Sequence, residues 1–302
     1  MALFIGSGVA LVTPFNENEE VNFEKLGELI DYHIDNKTDA IIVCGTTGEP
    51  ATMTKDEKKA IIEFSVKHAN GRIFTMAGVG SNNTKDTVEM SIFAESVGVN
   101  SVLAVTPYYN KTTQNGLIAH FTEIANAINI PVVLYNVPSR TGLNLLPATV
   151  AALSSHPNIQ GIKEASGDIS QVAEIARLCP NDFYIYSGND DQIVPILSLG
   201  GHGVISVVAN ILPVETHDMV IDYLSGNVNK ARLSQLKMKK LIDTIFIETN
   251  PIPIKTAMNL LDMKVGDYRL PLVAMDMKNK AILIKEMFEY GLVKEATLWL
   301  KS

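Results

Sequence analysis

Lys163 is the residue whose type and position best suit chemistry in this sequence. It closes the run from Ile159 to Ile162, which is predicted to be an interior strand, so its amine should lie in a poorly hydrated place that favours the neutral form. A neutral amine is a nucleophile that can form a Schiff base with a carbonyl substrate and convert it to an enamine, which then attacks an aldehyde. Taken alone, Lys163 could equally pair with Glu164 or cap its strand, so its neighbours must decide.

A glycine-rich turn, Gly45-Thr46-Thr47-Gly48-Glu49, follows the apolar run 41–44. Two glycines around two hydroxyls predict a tight turn whose backbone N–H groups can face a small anion such as a carboxylate. The alternative is an ordinary glycine-rich strand exit. The turn has no lysine after its second glycine, and Gly78-Val79-Gly80 lacks the third glycine of a dinucleotide fingerprint, so no nucleotide cofactor is expected.

A phenol and a guanidinium follow another apolar run. Tyr135 stands at the predicted strand end, and Arg140 lies five residues later on the loop. The phenol can shuttle protons, and the arginine can hold a carboxylate through a bidentate contact. Taken singly, the two could also be a half-buried tyrosine and a surface arginine. Tyr108 and Tyr109 follow a third run, where loop packing would explain them equally well.

Histidine and cysteine patterns argue against several other chemistries. The six histidines show no HxH or HExxH spacing, and Cys44 and Cys179 form no CxxC pair, so neither a metal site nor a disulfide is expected. Ser187, Asp190 and Asp191 have no histidine near them in sequence, which leaves a hydrolase triad little support. An aldolase without a metal needs another electron sink, and a lysine iminium is one.

Composition narrows the class of protein. Lys and Arg number 25 against 33 Asp and Glu, a net charge of -8, and no basic run is longer than Lys239-Lys240, so no nucleic-acid surface is expected. A hydrophobic content of 46% supplies a large core. No apolar run approaches the ~20 residues of a membrane span. The first residues lack the basic region of a signal peptide, so a cytoplasmic location is expected.

Eight β-rich runs alternate with helix-length amphipathic stretches as far as about residue 226. The runs are continuously apolar, as parallel strands buried on both faces should be. Eight such units favour an α/β fold of the (β/α)8 TIM-barrel type over an open doubly wound sheet, because closure at eight leaves no sheet edge. The strand candidates are Gly8 to Thr13, Ala40 to Cys44, Ile73 to Ala77, Ser101 to Val105, Val132 to Asn136, Gln160 to Lys163, Phe183 to Tyr186 and Gly203 to Val208. The helical stretches are Phe23 to Asn36, Lys58 to Ala69 behind a capping box at Thr54, Thr84 to Val97, Gly116 to Ile128, Pro147 to Ser154, Ser170 to Leu178, Asp190 to Leu199 and Val214 to Leu224.

The strand-like runs stop after Gly226, and only helical patterns follow. These are Val228 to Phe246, Pro253 to Leu261, Lys278 to Tyr290 and Val293 to Leu300, with a break at the prolines of Asn250-Pro251-Ile252-Pro253. We therefore expect a catalytic barrel over residues 1–226 and a C-terminal helical domain over 227–302 that serves packing or assembly. Because barrel active sites lie at the carboxyl ends of the strands, the candidates are Thr46, Thr47, Tyr108, Tyr109, Tyr135, Arg140, Lys163 and Gly188.

Six motifs, taken together and in order, resemble the 4-hydroxy-tetrahydrodipicolinate synthases (dihydrodipicolinate synthases) of the N-acetylneuraminate lyase superfamily. They are the glycine turn 45–49, Thr106-Pro107-Tyr108-Tyr109-Asn110, the segment from Tyr135 to Gly142, Ile162-Lys163-Glu164-Ala165, the segment from Gly200 to Ser206, and Asn250-Pro251-Ile252-Pro253. The resemblance covers essentially the whole chain. It implies a lyase that condenses pyruvate with L-aspartate 4-semialdehyde, without a cofactor, in lysine and diaminopimelate biosynthesis.

The resemblance also implies roles for the pyruvate half of the site. Lys163 would form the Schiff base, while Thr46, Thr47 and nearby backbone N–H groups hold the carboxylate of pyruvate. Tyr135 would be the central acid and base. A proton relay would couple it through Thr47 or Thr46 to Tyr109, which the adjacent subunit of a tight dimer donates. A homotetramer built as two tight dimers is the expected assembly.

The other implied roles concern the second substrate and regulation. Arg140 would bind the carboxylate of the semialdehyde, and Gly188 and Ile205 would line the pyruvate pocket. Members that lysine inhibits bind it at a dimer interface, and the matching positions here are Pro50, Lys55, Lys58, Asn82, Asp86 and Tyr108. Because Lys55 and Lys58 add two ammonium groups that should repel a cationic effector, we expect weak or absent inhibition by lysine.

Two alternative functions stay open on the sequence. One is a related pyruvate-dependent aldolase acting on 2-keto-3-deoxy sugar acids or sialic acid, although sialic acid lyases usually lack the arginine at position 140 and carry Ser-Thr in the glycine turn. A carboxylate substrate needs a cationic partner, whereas a polyol needs hydroxyl partners. The other is a non-catalytic barrel that binds a keto acid.

Overall fold

Eight parallel strands close into one barrel in the computed structural model, which describes residues 2–294. Each strand pairs with its neighbours in chain order, and β8 pairs with β1, for example Gly8 with Ile205. The predicted TIM barrel with C-terminal helices is confirmed, and the open-sheet alternative is wrong because no edge is left. The strands are β1 Gly6–Ala10, β2 Ala40–Val43, β3 Phe74–Gly78, β4 Ser101–Val105, β5 Val132–Asn136, β6 Ile159–Glu164, β7 Tyr184–Ser187 and β8 Gly203–Ser206.

Helices surround this barrel and continue beyond it. The predicted capping box begins α2: the Thr54 hydroxyl accepts from the Glu57 N–H at 3.2 Å, and the Glu57 carboxylate accepts from the Thr54 N–H at 2.8 Å. The helices are α1 Phe23–Asp35, α2 Lys55–Ala69, α3 Thr84–Val97, α4 Gln114–Asn126, α5 Pro138–Thr141, α6 Pro147–Leu153, α7 Ile169–Leu178, α8 Ile193–Leu197, α9 Pro213–Leu224, α10 Val228–Ile245, α11 Ile252–Leu260 and α12 Met277–Tyr290.

Some boundaries differ from the predicted ones for identifiable reasons. Strand β1 ends at Ala10 rather than Thr13, because the Val12 N–H donates to the side chain of Asn210 instead of extending the ladder. The helix predicted from Asp190 is instead a 3₁₀ turn followed by α8, since the Asp190 carboxylate accepts from two backbone N–H groups beyond β8. Helix α5 was not predicted. The helix predicted from Val293 lies almost wholly outside the described residues.

The barrel interior is packed at one end and open at the other. Phe4 precedes β1 and stacks on Tyr186 with ring centroids 4.5 Å apart, and the Tyr186 hydroxyl donates to the Phe4 carbonyl at 2.6 Å. Phe74, the first residue of β3, packs against the same Phe4 ring. The amino-terminal end of the barrel is thereby filled, which leaves the carboxyl ends of the strands for a site.

After α10 the chain returns from the outer surface to these carboxyl ends, and Asn250 is buried there. Helix α11 then begins and is buried over most of its length. In the described part of the chain, no helix combines the length and apolar character that crossing a membrane requires.

Candidate active site

Lys163 and Tyr135 lie side by side at the open end of the barrel. They are register partners on β6 and β5, both are buried, and the Lys163 Nζ lies 4.5 Å from the centre of the Tyr135 ring. Gly188 follows β7, and a Cβ atom there would come within 2.7 Å of the Ala165 Cβ and 3.1 Å of the Lys163 Cε. Glycine at position 188 therefore leaves room for the lysine side chain.

The two threonines of the glycine turn lie after β2. Thr46–Gly48 forms a 3₁₀ turn that ends at Glu49, whose φ of 58° is left-handed. Thr47 is buried, and its hydroxyl oxygen accepts from the Asn250 side-chain amide at 3.0 Å. Thr46 is half-buried beside the open end of the barrel.

A buried ion pair fixes the end of this turn. The Lys255 ammonium donates to the Glu49 carboxylate at 2.9 Å, and both side chains are at most 1% exposed. The same ammonium donates to the Asp267 carbonyl and lies 4.6 Å from the centre of the Phe15 ring. Burial lowers the pKa of Lys255, and the charge of Glu49 opposes that shift. The turn is thus anchored to α11.

Arg140 lies on the short helix α5 that follows β5. Its guanidinium Nη2 donates to the main-chain carbonyl of Asn250 at 3.0 Å, and the side chain is exposed to the cavity described next. The other guanidinium N–H groups can therefore bind a carboxylate in that cavity.

A cavity of about 580 Å³ brings six of the predicted residues together, namely Thr46, Thr47, Tyr135, Arg140, Lys163 and Gly188. An adjoining cavity of about 330 Å³ shares Thr46, Tyr135 and Arg140 with it. The larger cavity has the size of a small-molecule site. One nucleophile, one phenol, two hydroxyls and one guanidinium can bind and activate a small keto acid beside a second anion. Among residues 2–294, no group of three or more His, Cys, Asp or Glu is arranged to hold a metal ion.

Two of the predicted residues lie elsewhere. Ile205 is fully buried in the packed barrel interior and does not line either cavity, whereas Val207, two residues further on, lines the larger one. Val207, and not the expected Ile205, therefore lies on the wall of the larger cavity. Tyr109 is 93% exposed, has a φ of 68°, and contributes to neither cavity within this chain.

The six residues that match the lysine-binding positions divide into two groups. Pro50, Lys58 and Tyr108 line the smaller cavity. Lys55 instead pairs with Asp86 at 2.6 Å on the surface, and the Asn82 carbonyl accepts from the side chain of Asn110. The carboxylate of Asp86 is thus already occupied by a cation of the same chain.

Comparison with known proteins assigns the family. The model of the dihydrodipicolinate synthetase family matches residues 3–287. The chain belongs to the dihydrodipicolinate synthetase family. It is 60% identical over 297 residues to the 4-hydroxy-tetrahydrodipicolinate synthase of Thermoanaerobacter pseudethanolicus, which covers 98% of this chain and 100% of that relative.

Solved structures of dihydrodipicolinate synthases have the same fold. The enzyme from Aquifex aeolicus superposes with a TM-score of 0.94 at 43% identity, over 96% of this chain and 99% of that one. The DHDPS of Cyanidioschyzon merolae with lysine bound superposes with a TM-score of 0.94 at 38% identity, over 97% and 100% of the two chains. The family that the motifs indicated is confirmed.

One contribution to this dihydrodipicolinate synthetase site was missed from the sequence. Residues 246–250 line the larger cavity, and Asn250 contacts both Thr47 and Arg140. The segment Asn250-Pro251-Ile252-Pro253 predicts a break between helices and belongs to the motifs of the family resemblance, but the sequence assigns Asn250 itself no place in the site. Two prolines after a polar residue were the available signal, because they indicate an irregular segment that can enter a site.

Proposed function

We propose that this chain is an enzyme that condenses pyruvate with L-aspartate 4-semialdehyde to form 4-hydroxy-tetrahydrodipicolinate, in lysine and diaminopimelate biosynthesis. The observation that carries the proposal is the buried Lys163 beside Tyr135, in a cavity that Thr46, Thr47 and Arg140 also line. Full-length relatives at 60% identity that carry the name of this synthase support it.

The chemistry begins at the Lys163 amine, which attacks the keto carbon of pyruvate and expels its oxygen as water to give an iminium. The iminium withdraws electrons, so that the methyl group loses a proton and an enamine forms. Tyr135, whose ring centre lies 4.5 Å from the Lys163 Nζ, accepts and returns protons in these steps. Thr46 and Thr47 hold the pyruvate carboxylate.

The second half of the reaction joins the two substrates. Arg140 binds the semialdehyde carboxylate while the enamine carbon attacks the aldehyde, whose oxygen takes up a proton to become a hydroxyl. The substrate amino group then displaces Lys163 from the iminium carbon and closes the ring. The lysine leaves as a free amine, and one water is lost overall.

Trapping with borohydride tests this mechanism. Reduction in the presence of pyruvate should attach it to the peptide that contains Lys163, read by mass spectrometry, and Lys255, a second buried lysine, should stay unmodified. A Lys163→Met variant should show no adduct and lose turnover by at least about a thousandfold. No adduct at Lys163 in the native protein would refute the mechanism.

Activity with different aldehydes separates the alternatives. The native protein should turn over aspartate semialdehyde in preference to the aldehydes of sugar-acid and sialic acid cleavage. Preference for a sugar aldehyde would identify an aldolase instead, and a pyruvate adduct without turnover of any aldehyde would identify a keto-acid-binding barrel.

We also propose the assembly implied by the family resemblance, a tetramer of two tight dimers in which each subunit donates Tyr109 to its neighbour. The exposure of that ring and its left-handed backbone support this, since an exposed aromatic side chain on a strained loop is suited to insertion into a partner. The division into residues 1–226 and 227–302 and the cytoplasmic location stay predictions.

Lysine should inhibit this enzyme weakly or not at all. Lys55 already forms an ion pair with Asp86, and Lys58 adds a positive charge beside the smaller cavity. These charges should repel a cationic effector. Steady-state assays with added lysine measure this, and inhibition at micromolar lysine would contradict it. A Lys55→Ala variant, in which Asp86 is released, should be more sensitive to lysine than the native enzyme.

A further inference from the structure

A buried carboxylate lies directly behind the reactive pair. Glu164 is the last residue of β6 and follows Lys163, and because successive side chains of a strand point to opposite faces, Glu164 points away from the barrel interior. Its register partner is Asn136, as Tyr135 is the partner of Lys163. Glu164 is only 1% exposed. The mechanism above gives it no role.

The partners of this carboxylate are neutral donors. One oxygen accepts from the Ser166 N–H at 2.6 Å, and the other accepts from the Asn136 and Gln171 side-chain amides at 3.0 and 3.3 Å. The Asn136 nitrogen also lies 3.3 Å from the first oxygen. A protonated acid would have to donate one hydrogen bond, so this arrangement suits the anion. Burial raises the pKa of Glu164, and its hydrogen bonds to Ser166, Asn136 and Gln171 oppose the rise.

The same amide of Asn136, at the end of β5, holds the far end of the loop that carries Arg140. Its nitrogen donates to the Asn144 side-chain oxygen at 2.8 Å, and its oxygen accepts from the Leu145 N–H at 2.9 Å. Between residues 136 and 144 the chain leaves β5, forms α5 and returns. Asn144 is held a second time by Gln171, whose oxygen accepts from it at 2.8 Å.

Only an acceptor at both carboxylate oxygens keeps this network consistent. Replacing either oxygen by an amide nitrogen would place a donor against Asn136 or Ser166. With the nitrogen on the side of Asn136, the Asn136 amide keeps only its longer contact of 3.3 Å to the remaining oxygen, and turning that amide over to regain a short bond would remove the acceptor that the Leu145 N–H now uses.

We propose that Glu164 is a positioning residue that sets the place of Arg140 and thereby the affinity for the carboxylate of the second substrate. It fixes the amide orientation of Asn136, and that amide ties the end of the loop, at Asn144 and Leu145, to the end of β5 where the loop starts. The inference rests on the proposed function, because Arg140 is taken to bind the semialdehyde.

The experiment compares a Glu164→Gln variant with the native enzyme and with Glu174→Gln, which removes an exposed carboxylate on α7. Glu164→Gln should raise the KM for aspartate semialdehyde by about tenfold or more, because a small misplacement of a binding group is costly. The KM for pyruvate and the borohydride adduct at Lys163 should change by less than about twofold. Glu174→Gln should match the native enzyme in both KM values and in the amount of borohydride adduct.

A second variant keeps the test decisive if Glu164→Gln does not fold. Asn144→Ala releases one end of the loop while Glu164 stays in place, and it should give the same selective rise in the KM for the semialdehyde. An unchanged KM in a folded variant, or an equal loss for both substrates, would overturn the positioning role. A native enzyme that neither traps pyruvate nor uses the semialdehyde would instead refute the proposed function.

Discussion

The structure restricts the hydrogen bonds that the Thr47 hydroxyl can make. Its oxygen accepts from the Asn250 amide, whose nitrogen can only donate, so the single Thr47 proton must be given to a different acceptor. The residue lines the larger cavity, where a substrate carboxylate or a tyrosine oxygen can accept that proton. Asn250 thus prepares Thr47 to donate, which suits either anion binding or a proton relay.

Arg140 should determine affinity for the second substrate and leave the first unaffected. We expect Arg140→Ala to raise the KM for aspartate semialdehyde by roughly 10- to 100-fold, because a charge-assisted contact to a carboxylate contributes about 1.5–3 kcal/mol. Borohydride trapping of pyruvate at Lys163 should be unchanged. Steady-state kinetics with each substrate varied in turn measure the difference.

Arg177 supplies the control for this prediction, because it is an exposed arginine of α7 that pairs only with Glu174 in the described structure. Arg177→Ala should leave both KM values as they are. If Arg140→Ala weakened the binding of pyruvate and of the semialdehyde equally, Arg140 would have a general structural role instead.

Helix α11 and the segment before it hold the glycine turn 45–49 through two buried contacts, one from Lys255 to Glu49 and one from the preceding Asn250 to Thr47. The left-handed backbone of Glu49 costs free energy, and it persists because these contacts and the bond from the Thr13 hydroxyl to the Gly48 carbonyl fix the turn. The C-terminal helices therefore do more than pack against the barrel, since one of them positions a wall of the site.

Removing one partner of the buried ion pair should destabilise the folded protein. Lys255→Met leaves the Glu49 anion buried without its cation and should lower the free energy of unfolding by about 3–5 kcal/mol. Adding Glu49→Gln should recover a large part of that loss, because no uncompensated charge remains. Chemical denaturation monitored by circular dichroism measures both variants.

An exposed lysine in an ion pair gives the comparison. Lys240 pairs with Glu286 and Glu289 but is 72% exposed, so Lys240→Met should cost about 1 kcal/mol or less. If the substitutions at positions 240 and 255 lowered the free energy of unfolding equally, burial of the Lys255–Glu49 pair would make no difference to stability.

At the scale of the whole molecule, the exposed Tyr109 stands apart from the candidate site of its own chain. Tyr109 lies beyond both cavities, while its neighbour Tyr108 lines the smaller one, which adjoins the larger cavity at Tyr135 and Arg140. Under the proposed assembly, a second copy of the chain brings a Tyr109 to each site.

Mixing two inactive variants tests this shared site. Tyr109→Phe and Lys163→Ala should each lose most activity, but a mixture that has exchanged subunits contains pairs with one complete site. Random pairing makes half of the pairs mixed, each with one working site of two, so about a quarter of native activity should return. Assays before and after exchange of subunits measure the recovery, and no recovery despite exchange shown by native mass spectrometry would refute donation of Tyr109.

Local sequence patterns specify the barrel and most of the candidate site. Eight apolar runs at regular spacing specify buried parallel strands, and Lys163, Tyr135 and the threonine turn could be found because each follows such a run directly. These features depend on residues that are neighbours in the chain, and so they could be predicted from local patterns.

The contacts that these residues make with distant parts of the chain follow from the folded structure and not from local patterns. Asn250 contacts Thr47 over a separation of 203 residues and Arg140 over 110, and Glu164 finds Asn136 only through the pairing of β5 with β6. Val207 rather than Ile205 reaches the cavity wall, because the chain leaves β8 at Ser206. No local periodicity predicts such contacts. They form because the barrel closes and the C-terminal segment returns, which brings distant residues together at the carboxyl ends of the strands.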